Sequence, residues 1–152
     1  MQRHSPSEPR ARPLHVPSAA AAEQSKASSR DVDGRGLPVG YRLRADWEIA
    51  PRELERRLAE GEDPVLLDVR TPVEFEISRI TGSLLVPLHL LPSRLVDLKG
   101  YAARSVVTIC HHGVRSLQAA SILRRAGFED VRSLAGGLDT WSLAVDSTLP
   151  RY

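Results

Sequence analysis

The sequence predicts an open α/β domain, a single and mainly parallel sheet of about five strands with helices on both faces. Three observations carry that expectation. Short β-rich runs alternate with helix-patterned segments from Trp47 to Leu143. The run Val65-Leu66-Leu67-Asp68-Val69 is apolar but for one residue, as a strand buried on both faces is. The chain has 152 residues, 41% of them hydrophobic, and no internal repeat, which suits one domain.

The elements follow in order. Trp47-Glu48-Ile49 reads as a short strand, and Pro51 then stands where the first turn of a helix tolerates it. Leu54 and Leu58 share a face of that helix, and Gly61 ends it. The buried strand Val65–Val69 comes next, then a short helix from Pro72 to Ser78. Leu84-Leu85-Val86 is a strand stopped by Pro87, and Leu91, Leu95 and Leu98 line one side of a helix. Ser105 to Ile109 is a β-branched strand. A helix from Ser116 to Ala126 follows, with Leu117, Ala120, Ile122 and Leu123 as its apolar face and Gly127 as its cap. Val131 to Leu134 and a last helix from Leu138 to Leu143 complete the pattern.

Outside the domain, taken as residues 45–146, the pattern lapses. Residues 1–44 are rich in Pro, Ser, Ala and Gly and have no sustained apolar period, so they read as a disordered extension. Residues 147–152 read as a short tail. Residues 1–44 hold 8 Lys/Arg against 4 Asp/Glu, and residues 45–152 hold 13 against 15. The overall charge of +2 therefore comes from the N-terminal segment, and the near-neutral body argues against a nucleic-acid partner. No apolar run approaches the roughly 18–20 residues of a membrane span. One cysteine excludes an internal disulfide and fits a reducing, cytoplasmic location. The five histidines show no metal-ligand spacing, so neither a metal nor another cofactor is expected.

Cys110 directly follows the strand expected to be central, and a short loop, His111-His112-Gly113-Val114-Arg115, leads to the helix opened by Ser116. Ligands of open α/β sheets sit beyond the carboxyl ends of strands. Loop amides and a helix N-terminus there favour an anion, including an ionised sulfur, which is the nucleophilic form. Gly113 permits the tight backbone, and Arg115 adds a fixed cation with a donor fork. A lone cysteine by itself is more often packing than chemistry; its place in this loop is what makes it a nucleophile candidate.

The segment Cys110-His111-His112-Gly113-Val114-Arg115-Ser116 resembles the active-site loop of the rhodanese family. Leu67-Asp68-Val69-Arg70 with Pro72, Glu74 and Phe75 looks like the family's first signature. Ile80-Thr81-Gly82-Ser83 with Val86-Pro87, and Gly136-Gly137-Leu138-Asp139-Thr140-Trp141, are similar to its later ones, in the family's order. The resemblance implies a rhodanese-like fold and a double displacement. Cys110 takes a sulfane sulfur from a small donor such as thiosulfate, or from a persulfide, and passes it to a thiol, cyanide or protein persulfide acceptor. It implies that the backbone of His111, His112, Gly113, Val114, Arg115 and Ser116 cradles the persulfide and that Arg115 orients an anionic donor. Four residues separate Cys110 from Arg115; phosphatases and arsenate reductases on the related fold have one more, so the spacing points to sulfur.

Asp68, Arg70 and Glu74 are expected to support the site: Asp68 by accepting backbone hydrogen bonds near the loop, Arg70 and Glu74 by pairing near the surface. The imidazoles of His111 and His112 are expected at the rim, and Trp141 in the core. Ser78-Arg79 and Leu85 depart from the family's usual Gly-His and polar residue, outside the loop. A second reading is a persulfide-relay or binding module with little free turnover, serving a partner enzyme in cofactor or tRNA sulfuration. A similar loop occurs in rhodanese domains attached to ubiquitin-activating-like enzymes. An inactive scaffold is disfavoured because Cys110 and Arg115 are both present.

Overall fold

A computed structural model describes residues 31–152. Five strands, β1 (Glu48–Ile49), β2 (Val65–Asp68), β3 (Leu84–Leu85), β4 (Ser105–Ile109) and β5 (Asp130–Leu134), form one sheet in the order β1-β5-β4-β2-β3. Every pairing is parallel. The helices are α1 (Pro51–Ala59), α2 (Pro72–Ile77), α3 (Leu91–Leu98), α4 (Val114–Arg125) and α5 (Gly137–Ala144). No helix among the described residues is long and apolar enough to cross a membrane.

Strand alternation sends side chains to opposite faces and builds two cores. Leu67, Val69, Val106 and Val131 pack with Leu91 and Leu98 of α3 and with Ala119, Ala120 and Leu123 of α4. Ile49, Leu66, Val107, Ile109 and Leu134 pack on the other face with Leu54 of α1 and Leu138 and Trp141 of α5. Trp141 is thus a core residue, as expected. On α4 the buried face is Ser116, Ala119, Ala120 and Leu123. It is rotated from the expected one and leaves Leu117 only half-buried. Small residues there let the helix lie close to β4 and β5.

Register places the site. Asp68 of β2 pairs with Ile109 of β4, and Thr108 of β4 pairs with Ser133 of β5. The chain therefore leaves β2 at Val69 and β4 at Cys110 at the same, carboxyl end of the sheet.

The expected extension over residues 1–44 does not hold for its last part. Residues 1–30 lie outside the described residues, but 31–44 belong to the folded body. Leu37 is fully buried and packs with Ala50 and Ala135, flanked by Tyr41 and Leu43. Asp33 accepts hydrogen bonds from the Arg35 and Leu37 amides. The Tyr41 hydroxyl donates to buried Glu48 at 2.5 Å. Burial, and then that carboxylate, push the Tyr41 hydroxyl's pKa up to about 12. One apolar anchor in a Pro- and Gly-rich stretch has no period, so pattern reading passes over it. The tail 147–152 also packs: Leu149 lies against the second core, and the Arg151 guanidinium donates to Asp139.

Candidate active site

Cys110 directly follows β4 and is 1% exposed, a free thiol. The Gly113 N–H points at its Sγ at 3.0 Å, and Ser116 Oγ lies 3.3 Å away. Ser116 Oγ is in turn 2.7 Å from the buried Ser133 Oγ of β5. Thr108 Oγ1 donates to the Ser116 carbonyl at 2.8 Å and locks the start of α4 to β4. The sulfur thus meets a short buried chain of hydroxyls as well as a backbone amide.

The helix begins two residues earlier than the sequence suggested. Gly113, at φ 101°, is the N-cap, and α4 starts at Val114. Ser116 does not open the helix; its hydroxyl serves the sulfur and Ser133. Arg115 and Ser116 therefore sit in the first turn. No side chain caps this helix, which leaves the first-turn amides of Val114, Arg115 and Ser116 available to an anion. Of the amides expected around the sulfur, Gly113 is the one that reaches Sγ.

The loop is held from the β5 side. The Leu138 N–H donates to the Cys110 carbonyl at 2.8 Å, and the Asp139 N–H to the His111 carbonyl at 3.1 Å. The first turn of α5 is spent on the loop backbone. Gly137, at φ 65°, makes this approach feasible, because a Cβ there would collide with both carbonyls.

The charged residues are partnered differently from expectation. Arg70 does not meet the Glu74 carboxylate. Its side chain and that of Asp68 are both 0% exposed and bonded to each other, at 2.7 Å from Nη2. Arg70 Nη2 also donates to the Ser78 carbonyl and Nη1 to the Glu74 carbonyl. Asp68 therefore accepts from the guanidinium and amide of Arg70, not from the cysteine loop. The Glu74 carboxylate instead takes the fork of Arg115, at 2.7 and 2.8 Å. Glu74 closes a capping box with Thr71 at the start of α2, so a helix cap is tied to the cysteine loop. Arg115 first, and the Thr71 bonds after it, hold the Glu74 carboxyl far below the usual carboxylate range. Glu74 raises Arg115 correspondingly.

His112 is exposed and His111 half-buried, as expected of the rim. The His111 ring lies 3.8 Å from that of His112 and stacks on Tyr152 at 4.0 Å. Its buried Nε2 has no partner among the described residues. Burial, and then the charge of His112, lower the His111 pKa. Tyr152 was not foreseen. Its hydroxyl accepts from Arg70 Nη1 at 2.8 Å and donates to Glu74 Oε1 at 3.1 Å. His89 was also missed. It lines a cavity of about 300 Å³ with Val69, Arg70, Thr71, Pro87, Leu88 and Arg115. Ser133 and Tyr152 reach the site only through register and chain reversal, and neither lies in a local motif.

The site is a buried thiol that a parallel α/β sheet delivers to an uncapped helix N-terminus. The Rhodanese-like domain model matches residues 50–144, more than half of the chain, and the chain belongs to that family. It is 39% identical over 95 residues to a sulfurtransferase of Allochromatium vinosum, covering 62% of this chain and 87% of that protein. It is 38% identical over 104 residues to the probable adenylyltransferase/sulfurtransferase MoeZ of Mycobacterium tuberculosis. That match covers 68% of this chain but only 26% of the MoeZ protein. The fold resembles the crystal structure of a thiosulfate sulfurtransferase from Pseudomonas aeruginosa, with a TM-score of 0.59 and 28% identity over 66% of this chain and 19% of that one.

Proposed function

We propose that the chain is a sulfurtransferase that moves a sulfane sulfur from thiosulfate or a persulfide to a thiophilic acceptor through a persulfide on Cys110. The carrying observation is Cys110 Sγ at an uncapped helix N-terminus, with the Gly113 N–H already 3.0 Å from it. The Cys110 thiolate attacks the outer sulfur of the donor. The donor's S–S bond breaks, and its electron pair leaves on sulfite, or on a thiolate when the donor is a persulfide. The Cys110 perthiolate that remains carries its charge into the first-turn amides of α4. An acceptor thiolate or cyanide then attacks the outer sulfur and releases the Cys110 thiolate. The first product leaves before the acceptor reacts, and the protein alternates between a thiolate and a persulfide form, so the kinetics are ping-pong.

Arg115 binds the donor's anionic end with the guanidinium edge that Glu74 leaves free. Its Nη1 and Nη2 each give one N–H to Glu74, and an arginine has five donors. Asp68, Arg70 and Glu74 hold the frame. A thiol without a disulfide partner suits the reducing cytoplasm.

The likeness to MoeZ favours a second reading, a relay that hands sulfur to a protein partner with little free turnover. A thiosulfate:cyanide assay separates them. Steady thiocyanate production lost in Cys110→Ser supports the first reading. A Cys110 persulfide that forms but turns over little supports the relay, and a fully active Cys110→Ser variant overturns both.

A further inference from the structure

Arg151 and Tyr152 cross the mouth of the cysteine loop. Tyr152 stacks on His111, the residue after the nucleophile, and its hydroxyl bridges Arg70 and Glu74. Arg151 pairs with Asp139, whose own amide binds the His111 carbonyl. Two consecutive residues thus connect the loop after β2, the loop after β4 and the start of α5. Cys110, the residue before His111, is 1% exposed, and the neighbouring cavity reaches Arg115 but not the sulfur. Arg70 is fully engaged by Asp68 and the Ser78 carbonyl, and Arg115 already gives two N–H groups to Glu74, so a small anion meets only the free edge of one guanidinium.

We infer that Arg151–Tyr152 is a strap that tunes donor preference, slowing the access of small free donors such as thiosulfate to Cys110 and yielding more readily to a persulfide borne on a docking protein. The strap's contacts are at the surface. Tyr152 remains 41% exposed and Arg151 pairs in the open, the kind of segment that opens locally at low free energy. Thiosulfate has few atoms with which to offset that opening. A docking protein supplies binding energy from contacts remote from the sulfur. The inference rests on the sulfur-transfer reading for the nature of the donor, but not for the strap's opening.

Two readouts on the full chain separate them: alkylation of Cys110 by neutral iodoacetamide, which needs access and the thiolate but no sulfur transfer, and persulfide formation from thiosulfate, which needs the transfer chemistry. Both rates follow the open population, so Tyr152→Ala raises each by about tenfold, the equivalent of one hydrogen bond to a charged group. Tyr152→Phe, which keeps the stack and loses the bridges, raises them less. Arg151→Ala frees the strap's anchor without touching the loop and also accelerates both, which keeps the test decisive if Tyr152→Ala folds poorly. Alkylation at or below the wild-type rate in Tyr152→Ala and Arg151→Ala overturns the strap. Faster alkylation without a persulfide on any variant supports the strap and overturns the sulfur-transfer reading instead.

Discussion

Two Arg–carboxylate pairs stand a few residues apart at the same, carboxyl end of the sheet, and they do different work. Asp68–Arg70 is sealed: both side chains are 0% exposed, and the guanidinium also reaches two carbonyls and a hydroxyl. Glu74–Arg115 is a bidentate pair at the mouth, with 18% and 35% of the side chains exposed. The first fixes where β2 ends and α2 begins. The second ties α2 to the cysteine loop and remains within reach of a ligand. The same chemistry acts as framework when dry and as an adjustable contact when half-wet.

Breaking the sealed pair has the largest effect. Arg70→Ala leaves Asp68 buried without its counter-ion, and urea unfolding should show a loss of about 3–5 kcal/mol. An Asp68→Leu/Arg70→Met double variant should recover most of it, because a filled apolar site lacks the buried charge. At the mouth, Arg115→Ala should change stability little. It should lower kcat/KM for thiosulfate by about tenfold or more, as loss of a charge-assisted hydrogen bond does, while transfer from the persulfide to acceptor slows less. Equal losses in both half-reactions would remove Arg115 from donor binding.

Glu74→Gln sharpens the contrast through pH. The pair is worth only about 1 kcal/mol at such exposure. Its folded carboxyl lies below the ordinary 4.5, so the contribution is present above that value and is lost as pH falls through the lower folded one. The melting temperatures of wild type and Glu74→Gln should therefore differ near neutrality and converge below pH 4.5. A gap that persists into strong acid would contradict the pairing. The smallest effect concerns His111. Its pKa is held down chiefly by burial, and Tyr152 supplies one face of that burial. Removing the phenol in Tyr152→Ala should move the imidazole titration, followed by NMR, up toward 6.5.

Much of this was legible in the chain. Short, largely apolar runs and proline and glycine punctuation marked all five strands, and Leu91–Leu98 and Ser105–Ile109 appear with the expected bounds. The cysteine loop was legible because its residues are consecutive. What was hidden has physical reasons. A serine before an apolar run reads as the start of a helix, but Ser116 lies inside its first turn, held inward by the thiol and Ser133. Arg70 and Glu74 have helix-like spacing, yet Asp68, two residues before Arg70, competes for the guanidinium and wins by burial. Leu37 and Tyr152 are single anchors in segments without period, and only the folded surface shows what they cover.

The central claim is that Cys110 itself holds the sulfur. Intact-protein mass after incubation with thiosulfate and removal of excess donor tests it directly. The wild-type chain should gain the mass of one sulfur atom, cyanide or a thiol should remove it, and Cys110→Ser should never acquire it. Sulfur retained on Cys110→Ser, or a wild-type chain that makes thiocyanate without ever carrying the added mass, would contradict it.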